Sequence, residues 1–150
     1  MKVYKFGGAS VKDAQGVKQV VNVLKKTLEP SMVVVISAMG KTTNAFEKIV
    51  QSYLSKNPDL PSQITTVFGQ HLLIAESLFD QSTHQVFKDI KLLREELRDF
   101  MAHNKATNHP FVYDQIVGYG EMLSTTIVAH YCCDNGLPVQ WLDVRTCIKT

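Results

Sequence analysis

Residues 1–10 read MKVYKFGGAS, and the corner KFGGAS at positions 5–10 decides how the rest of the chain is read. Lys2 to Phe6 alternates polar with apolar or aromatic side chains, the pattern of a strand whose two faces differ. Gly7 and Gly8 follow at once. Lacking a Cβ, they open backbone torsions closed to other residues and let a ligand come close to the amide nitrogens. Ser10 is placed to cap a helix running from Val11 to Leu28, and a helix N-terminus draws anions through its unpaired N–H groups and its dipole. Lys5 adds a mobile positive charge. The corner therefore reads as a phosphate site formed by Lys5, Gly7, Gly8, Ala9 and Ser10, or else as an ordinary strand-turn-helix junction with a surface lysine.

Working outward, Val17, Val20, Val21, Val23, Leu24 and Leu28 recur at near-helical spacing, with lysines and amides between them. Pro30 ends that helix. Met32 to Ile36 is a short β-branched run, the pattern of a strand buried on both faces in a parallel sheet. Strand, helix, strand makes a crossover unit, and the loops that follow both strands lie at the carboxyl edge of the sheet, where open α/β proteins bind ligands. The second loop is Ser37 to Asn44, and a helix is predicted over Ala45 to Leu54. Residues 57–108 are helical in pattern, chiefly Gln63 to Phe79 and Val86 to Met101. Tyr113 to Tyr131 reads as one further helix, Asn135-Gly136 as a turn, and Leu137 to Leu142 as a third strand. The fold class expected is α/β.

Bulk properties exclude several classes. Sixteen basic residues are interspersed with 14 acidic ones for a net charge of +2, so no nucleic-acid footprint or membrane-surface patch is implied. The longest aliphatic run is too short to span a bilayer, and Lys5 with the glycines interrupts any secretory leader. Cytoplasm is the expected compartment. The three cysteines, Cys132, Cys133 and Cys147, show no framework spacing and fit reduced thiols.

Several motifs fail on inspection. Gly40-Lys41-Thr42 resembles the tail of a P-loop, but Val35 stands where its first glycine belongs. Gly118-Tyr119-Gly120 has Leu123 where a dinucleotide fingerprint needs its third glycine. No serine has the flanks of a nucleophile elbow. His130 with Cys132 and Cys133 lacks a second ligand pair at zinc-site spacing, and the other histidines are scattered, so no metal site is expected.

Read together, the loops resemble aspartate kinase. KFGG with Ser10, then Ser37-Ala38-Met39-Gly40 with Thr42-Thr43-Asn44, then Val117-Gly118-Tyr119-Gly120-Glu121 with Leu123-Ser124-Thr125, occur in that family's order and intervals, and Asp143-Val144-Arg145 resembles its DVR segment. The resemblance covers essentially all 150 residues. Ala9 departs from it, standing where threonine is frequent. The resemblance implies the amino-acid-kinase (carbamate-kinase-like) fold, a three-layer α/β/α sandwich around a mostly parallel sheet. It implies phosphoryl transfer from MgATP to the side-chain carboxylate of L-aspartate, giving 4-phospho-L-aspartate, the first step toward lysine, threonine and methionine. Lys5 is then catalytic, and Glu121 lies near the substrate ammonium. Ser37 and Thr43 lie near the rest of the substrate, while Gly40 keeps the loop close.

Glu121 also has a simpler reading as a first-turn acid, and Ser37 and Thr43 as capping hydroxyls, while Asp143 and Arg145 read as a structural ion pair or as packing near the sheet edge. A carboxylate acceptor is already ionised near neutral pH, so no general base is needed. Complete members of the family are much longer. The chain is accordingly expected to be the N-terminal portion of the kinase domain, with the nucleotide-binding half, most of the metal site and any regulatory or homoserine dehydrogenase domains elsewhere. It is expected to be inactive alone and prone to self-association through an open sheet edge. A kinase of another acidic amino acid and a non-catalytic phosphate-binding module are the competing expectations.

Overall fold

A computed structural model describes residues 1–147. It contains two strands, β1 (Lys2–Phe6) and β2 (Met32–Ile36), and six α-helices: α1 (Ala14–Thr27), α2 (Thr42–Leu54), α3 (Leu60–Glu76), α4 (Gln85–His103), α5 (His109–Val117) and α6 (Tyr119–Asp134). The strands pair in parallel, Lys2 beside Met32 through Phe6 beside Ile36. In a parallel pair the residues in register share a face. Tyr4 and Phe6 therefore join Met32, Val34 and Ile36 on the covered side, while Val3, Lys5, Val33 and Val35 lie on the other.

That second face corrects the reading of β2 as buried on both sides. Val3 is 60% exposed, Val33 44% and Val35 42%, so among the described residues the sheet is covered on one face only. The β-branched run came from strand propensity and did not report what lies above it.

The α1 helix starts later than the sequence predicts. Gly8–Val11 forms a 3-10 turn, and Asp13, not Ser10, caps the helix, its Oδ1 accepting from the Gly16 amide at 2.8 Å. Asp13 is an equally good capping residue, and the turn places it in the extended conformation that a cap needs. Val17, Val20, Val21 and Leu24 form the buried stripe of α1. Lysines occupy its wet side.

Gly118 divides the stretch read as one helix from Tyr113 to Tyr131 into α5 and α6. Asn108 caps α5 through its side chain, just before Pro110 in the first turn, where proline is tolerated because its missing N–H would have no helical acceptor. α2 begins at Thr42, three residues before the predicted start. Leu137 to Leu142 is not a strand. It leaves the Asn135-Gly136 turn (Gly136 φ 77°) and shares with β2 the lining of a cavity of about 230 Å³, without exchanging ladder hydrogen bonds with it. Alternation of side chains marks an extended segment; it becomes a strand only when a neighbour accepts its backbone groups.

The helices pack as a bundle about α6, which touches α1, α2, α3, α4 and β2. Phe46, Ile49, Phe68, Ile90, Leu97, Ile116, Leu123 and Ile127 fill the centre of that bundle. No described helix is long and apolar enough to cross a membrane.

Candidate functional site

The first loop leaves β1 through Gly7, whose backbone is extended (φ −74°, ψ 165°), and closes when the Ser10 amide donates to the Gly7 carbonyl at 2.9 Å. Val11, fully buried, pins the turn to the core. The amides of Gly8 and Ala9 have no acceptor among the described residues. Lys5, one residue before the end of β1, makes no ion pair among them either.

The second loop is bolted to the first. Its Ser37 amide extends the sheet by donating to the Phe6 carbonyl (3.0 Å), and the Gly40 amide donates to the Gly8 carbonyl (3.0 Å). A Cβ on Gly8 would stand 2.4 Å from the Ala38 carbonyl oxygen, so only glycine permits this approach. Gly40 has a φ of +52°, the left-handed turn that carries the chain into α2.

The third segment is the start of α6. A Cβ on Gly120 would lie 3.0 Å from the Ala38 Cβ and 3.3 Å from the Thr42 Cγ2, so α6 rests directly on the second loop. Glu121, the next residue, is half-buried in the first turn, where a carboxylate is favoured by the helix dipole. Three stretches far apart in sequence are thus stacked at the carboxyl end of the two strands. Their polar side chains remain apart: Lys5, Ser10, Ser37, Thr43 and Glu121 form no side-chain hydrogen bond with one another among the described residues. The contacts that assemble the loops are made by backbone and by absent side chains.

Around this stack the charge is uneven. The Tyr113 hydroxyl donates to Glu47 at 3.1 Å, and that bond, with burial and the charges of Glu47, Asp114 and Glu121, raises the phenol above its ordinary value. The flank shared by α2, α5 and α6 is therefore acidic. Of the two structural readings the sequence offered for Asp143 and Arg145, the ion pair is the one formed, a two-pronged contact with Nη2 to Oδ2 at 2.6 Å and Nε to Oδ1 at 3.0 Å. Hydrogen bonding from Arg145 holds the Asp143 carboxyl below the usual range. The Arg145 guanidinium also lies 5.9 Å from the ring centre of Tyr119, at the foot of α6. Trp141 Nε1 donates to Thr125 Oγ1 (2.9 Å), which donates to the Glu121 carbonyl (2.7 Å). This strap on the Glu121 turn was missed by sequence reasoning. A solitary tryptophan was its one visible signal.

A family model described as the amino acid kinase family matches residues 1–149. The chain belongs to the amino acid kinase family. Among curated relatives of this amino acid kinase chain, an aspartokinase of Chlamydia trachomatis is 30% identical over 148 residues, covering 99% of this chain and 31% of that protein. A bifunctional aspartokinase/homoserine dehydrogenase 2 of Zea mays is 27% identical, covering 95% of this chain and 16% of that protein. The chain thus spans less than a third of the length of these relatives. Crystal structures of Escherichia coli aspartokinase III, one with lysine and aspartate and one with aspartate and ADP, superpose with a TM-score of 0.80 at 24% identity, covering 97% of this chain and about a third of theirs. That likeness shows the amino-acid-kinase fold, α/β with a parallel sheet.

The nucleotide and metal that this family implies can be tested against the residues present. The unpaired Gly8 and Ala9 amides, the open space at Gly7, where a Cβ would meet nothing within 4 Å, and the free Lys5 ammonium fit a phosphate group. Among the described residues no group of three or more His, Cys, Asp or Glu could hold a metal by itself.

Proposed function

We propose that this amino acid kinase chain forms the acceptor and phosphate end of an aspartate kinase, phosphorylating the side-chain carboxylate of L-aspartate. One observation carries the reading: the Gly8, Gly40 and Gly120 contacts stack the corner, the second loop and the Glu121 turn upon one another.

Bound MgATP would supply the transferable phosphoryl group. The chain's own residues then have separable tasks. Lys5 and the Gly8 and Ala9 amides hold the migrating phosphoryl and offset the negative charge that gathers on its oxygens, which is most of what catalysis of this reaction requires. Glu121, on the acidic flank, receives the substrate ammonium, whereas Ser37 and Thr43 donate to its carboxylates. The acceptor carboxylate is ionised near neutral pH and attacks without a base. Gly40 keeps the loop pressed on the corner. The location that follows for the working protein is the cytoplasm, and the pathway is that leading to lysine, threonine and methionine. The bifunctional relatives place a fusion to homoserine dehydrogenase within this proposal, and assembly with a second copy belongs to it as well.

Calorimetric titration with L-aspartate tests the acceptor part. Glu121→Gln should weaken binding by about tenfold or more, the loss of one charge-assisted contact, while Lys5→Met should leave aspartate binding in place. In the complete protein, Lys5→Met should lower aspartate-dependent ADP release by roughly 10²–10³. Equal binding of glutamate or acetylglutamate would overturn the substrate assignment. Unchanged turnover in Lys5→Met would reduce the site to a phosphate-binding module.

A further inference from the structure

A cavity of about 660 Å³ opens between the 39–41 loop, α2 and α3, and its charge is one-sided. Lys12, Lys41 and Lys48 line it, and no carboxylate does. None of the three lysines makes an ion pair or side-chain hydrogen bond among the described residues. In a chain with 16 basic and 14 acidic residues, three uncompensated cations about one opening are a local excess, not a reflection of overall composition. Leu73, 64% exposed, and Ile74 give the cavity an apolar side.

His71 closes the lining from beneath, 1% exposed. Its Nδ1 lies 2.8 Å from the Val67 carbonyl and so carries the proton, leaving Nε2 to accept from Thr42 Oγ1 at 3.4 Å. Burial holds the imidazole below its ordinary value, so the positive charge of the cavity belongs to the lysines alone.

The cavity is separate from the site proposed for aspartate. On a helix of 3.6 residues per turn, Thr43 and Glu47 fall on one flank of α2, and Glu47 there meets Tyr113 of α5. Lys48 falls on the opposite flank, toward α3, and lines the cavity together with Lys41 of the loop. The two sides meet at the loop and at Thr42: Gly40 lines the cavity while its amide is bonded to the Gly8 carbonyl, and Thr42 lines it while its Cγ2 lies against Gly120.

We propose that this cavity is a second binding site, one that takes a small organic anion bearing two or more phosphate groups. Its volume lies within the span of about 300–1,000 Å³ common for small-molecule sites. Three ammonium groups match a di- or triphosphate, and Leu73 with Ile74 offers a surface for the organic part. Its occupant bears on the Gly40 loop and thereby on the corner to which that loop is bonded. The site stands on its own lining residues, whether or not the aspartate reading holds.

The test is titration of the protein with pyrophosphate, tripolyphosphate and ADP at fixed ionic strength, followed by calorimetry. Lys12→Gln combined with Lys48→Gln should weaken one binding event tenfold or more, and Lys5→Met should leave that event unchanged. All these side chains are exposed, so glutamine in their place should preserve the fold. A second measurement uses unmutated protein with isotopically methylated lysines: the Lys12, Lys41 and Lys48 signals should shift together on titration, and that of exposed Lys105 should not. ADP binding tighter than pyrophosphate would assign the site to a nucleotide, and equal affinity to the phosphates alone. Binding that survives the double substitution, that disappears with Lys5→Met, or that sulfate matches at the same ionic strength would overturn the proposal.

Discussion

Replacing Gly8 by alanine places a methyl carbon 2.4 Å from the carbonyl oxygen of Ala38. Restoring a C···O separation of about 3.3 Å requires the second loop to retreat by roughly 0.9 Å. The obstacle is backbone, so no side-chain rotation relieves it. The same retreat stretches the 3.0 Å bond from the Gly40 amide to the Gly8 carbonyl. Overpacking of this kind costs about 1–3 kcal/mol, and a lost hydrogen bond about 1 kcal/mol more. A total near 3 kcal/mol corresponds to a fall in Tm of about 6–12 °C for a chain of this size. Gly7→Ala is the matched control: its backbone is extended and its Cβ would meet nothing within 4 Å, so its stability should stay within about 0.5 kcal/mol of the parent. Thermal melts followed by circular dichroism, with urea titrations for the free energies, give both numbers. Equal melting of Gly8→Ala and the parent, or an equal loss in Gly7→Ala, would refute the stacking of the two loops.

Two further outcomes concern titratable groups. His71 remains neutral in the folded protein below the pH at which a free imidazole protonates, so below about pH 6.5 the unfolded chain binds a proton that the folded chain refuses. Stability is fully present above that pH and declines as pH falls toward the lowered folded value; His71→Gln should show a shallower decline in parallel urea titrations, and equal slopes would contradict the assignment. Burial pushes the Cys132 thiol up to about 11, whereas Cys133 and Cys147 are exposed. At pH 8, iodoacetamide should label two cysteines in the native protein and the third only after unfolding, as read by mass spectrometry; three native labels would place Cys132 at the surface.

What the sequence disclosed and what it hid divide along physical lines. β1, β2, the crossover helix and the glycine loops could be read because their signals are local: alternation, periodicity and residues with special backbone freedom. The cap of α1 was misplaced because Ser10 and Asp13 are both competent, and only the turn between them selects one. The break at Gly118 was invisible because apolar spacing continues through it. Leu137 to Leu142 and the outer face of β2 failed for a shared reason, since both depend on a neighbour that no local pattern records. Among the candidate site residues, the glycines announced that something approaches closely. What approaches, Ala38 in two of the three cases, emerged only from the fold. Trp141, Tyr113 and His71 carry no local signal of the partners they find.

Because α6 packs against four other helices, α1 to α4, the turn that bears Glu121 is tied to the bundle as a whole. The hydrogen-bonded amides that follow, from Met122 onward, should exchange with deuterium on the slowest timescale of the molecule, through openings that dismantle the whole bundle. Mild heat or denaturant would then leave the acceptor pocket either intact or gone, with no loosened intermediate form.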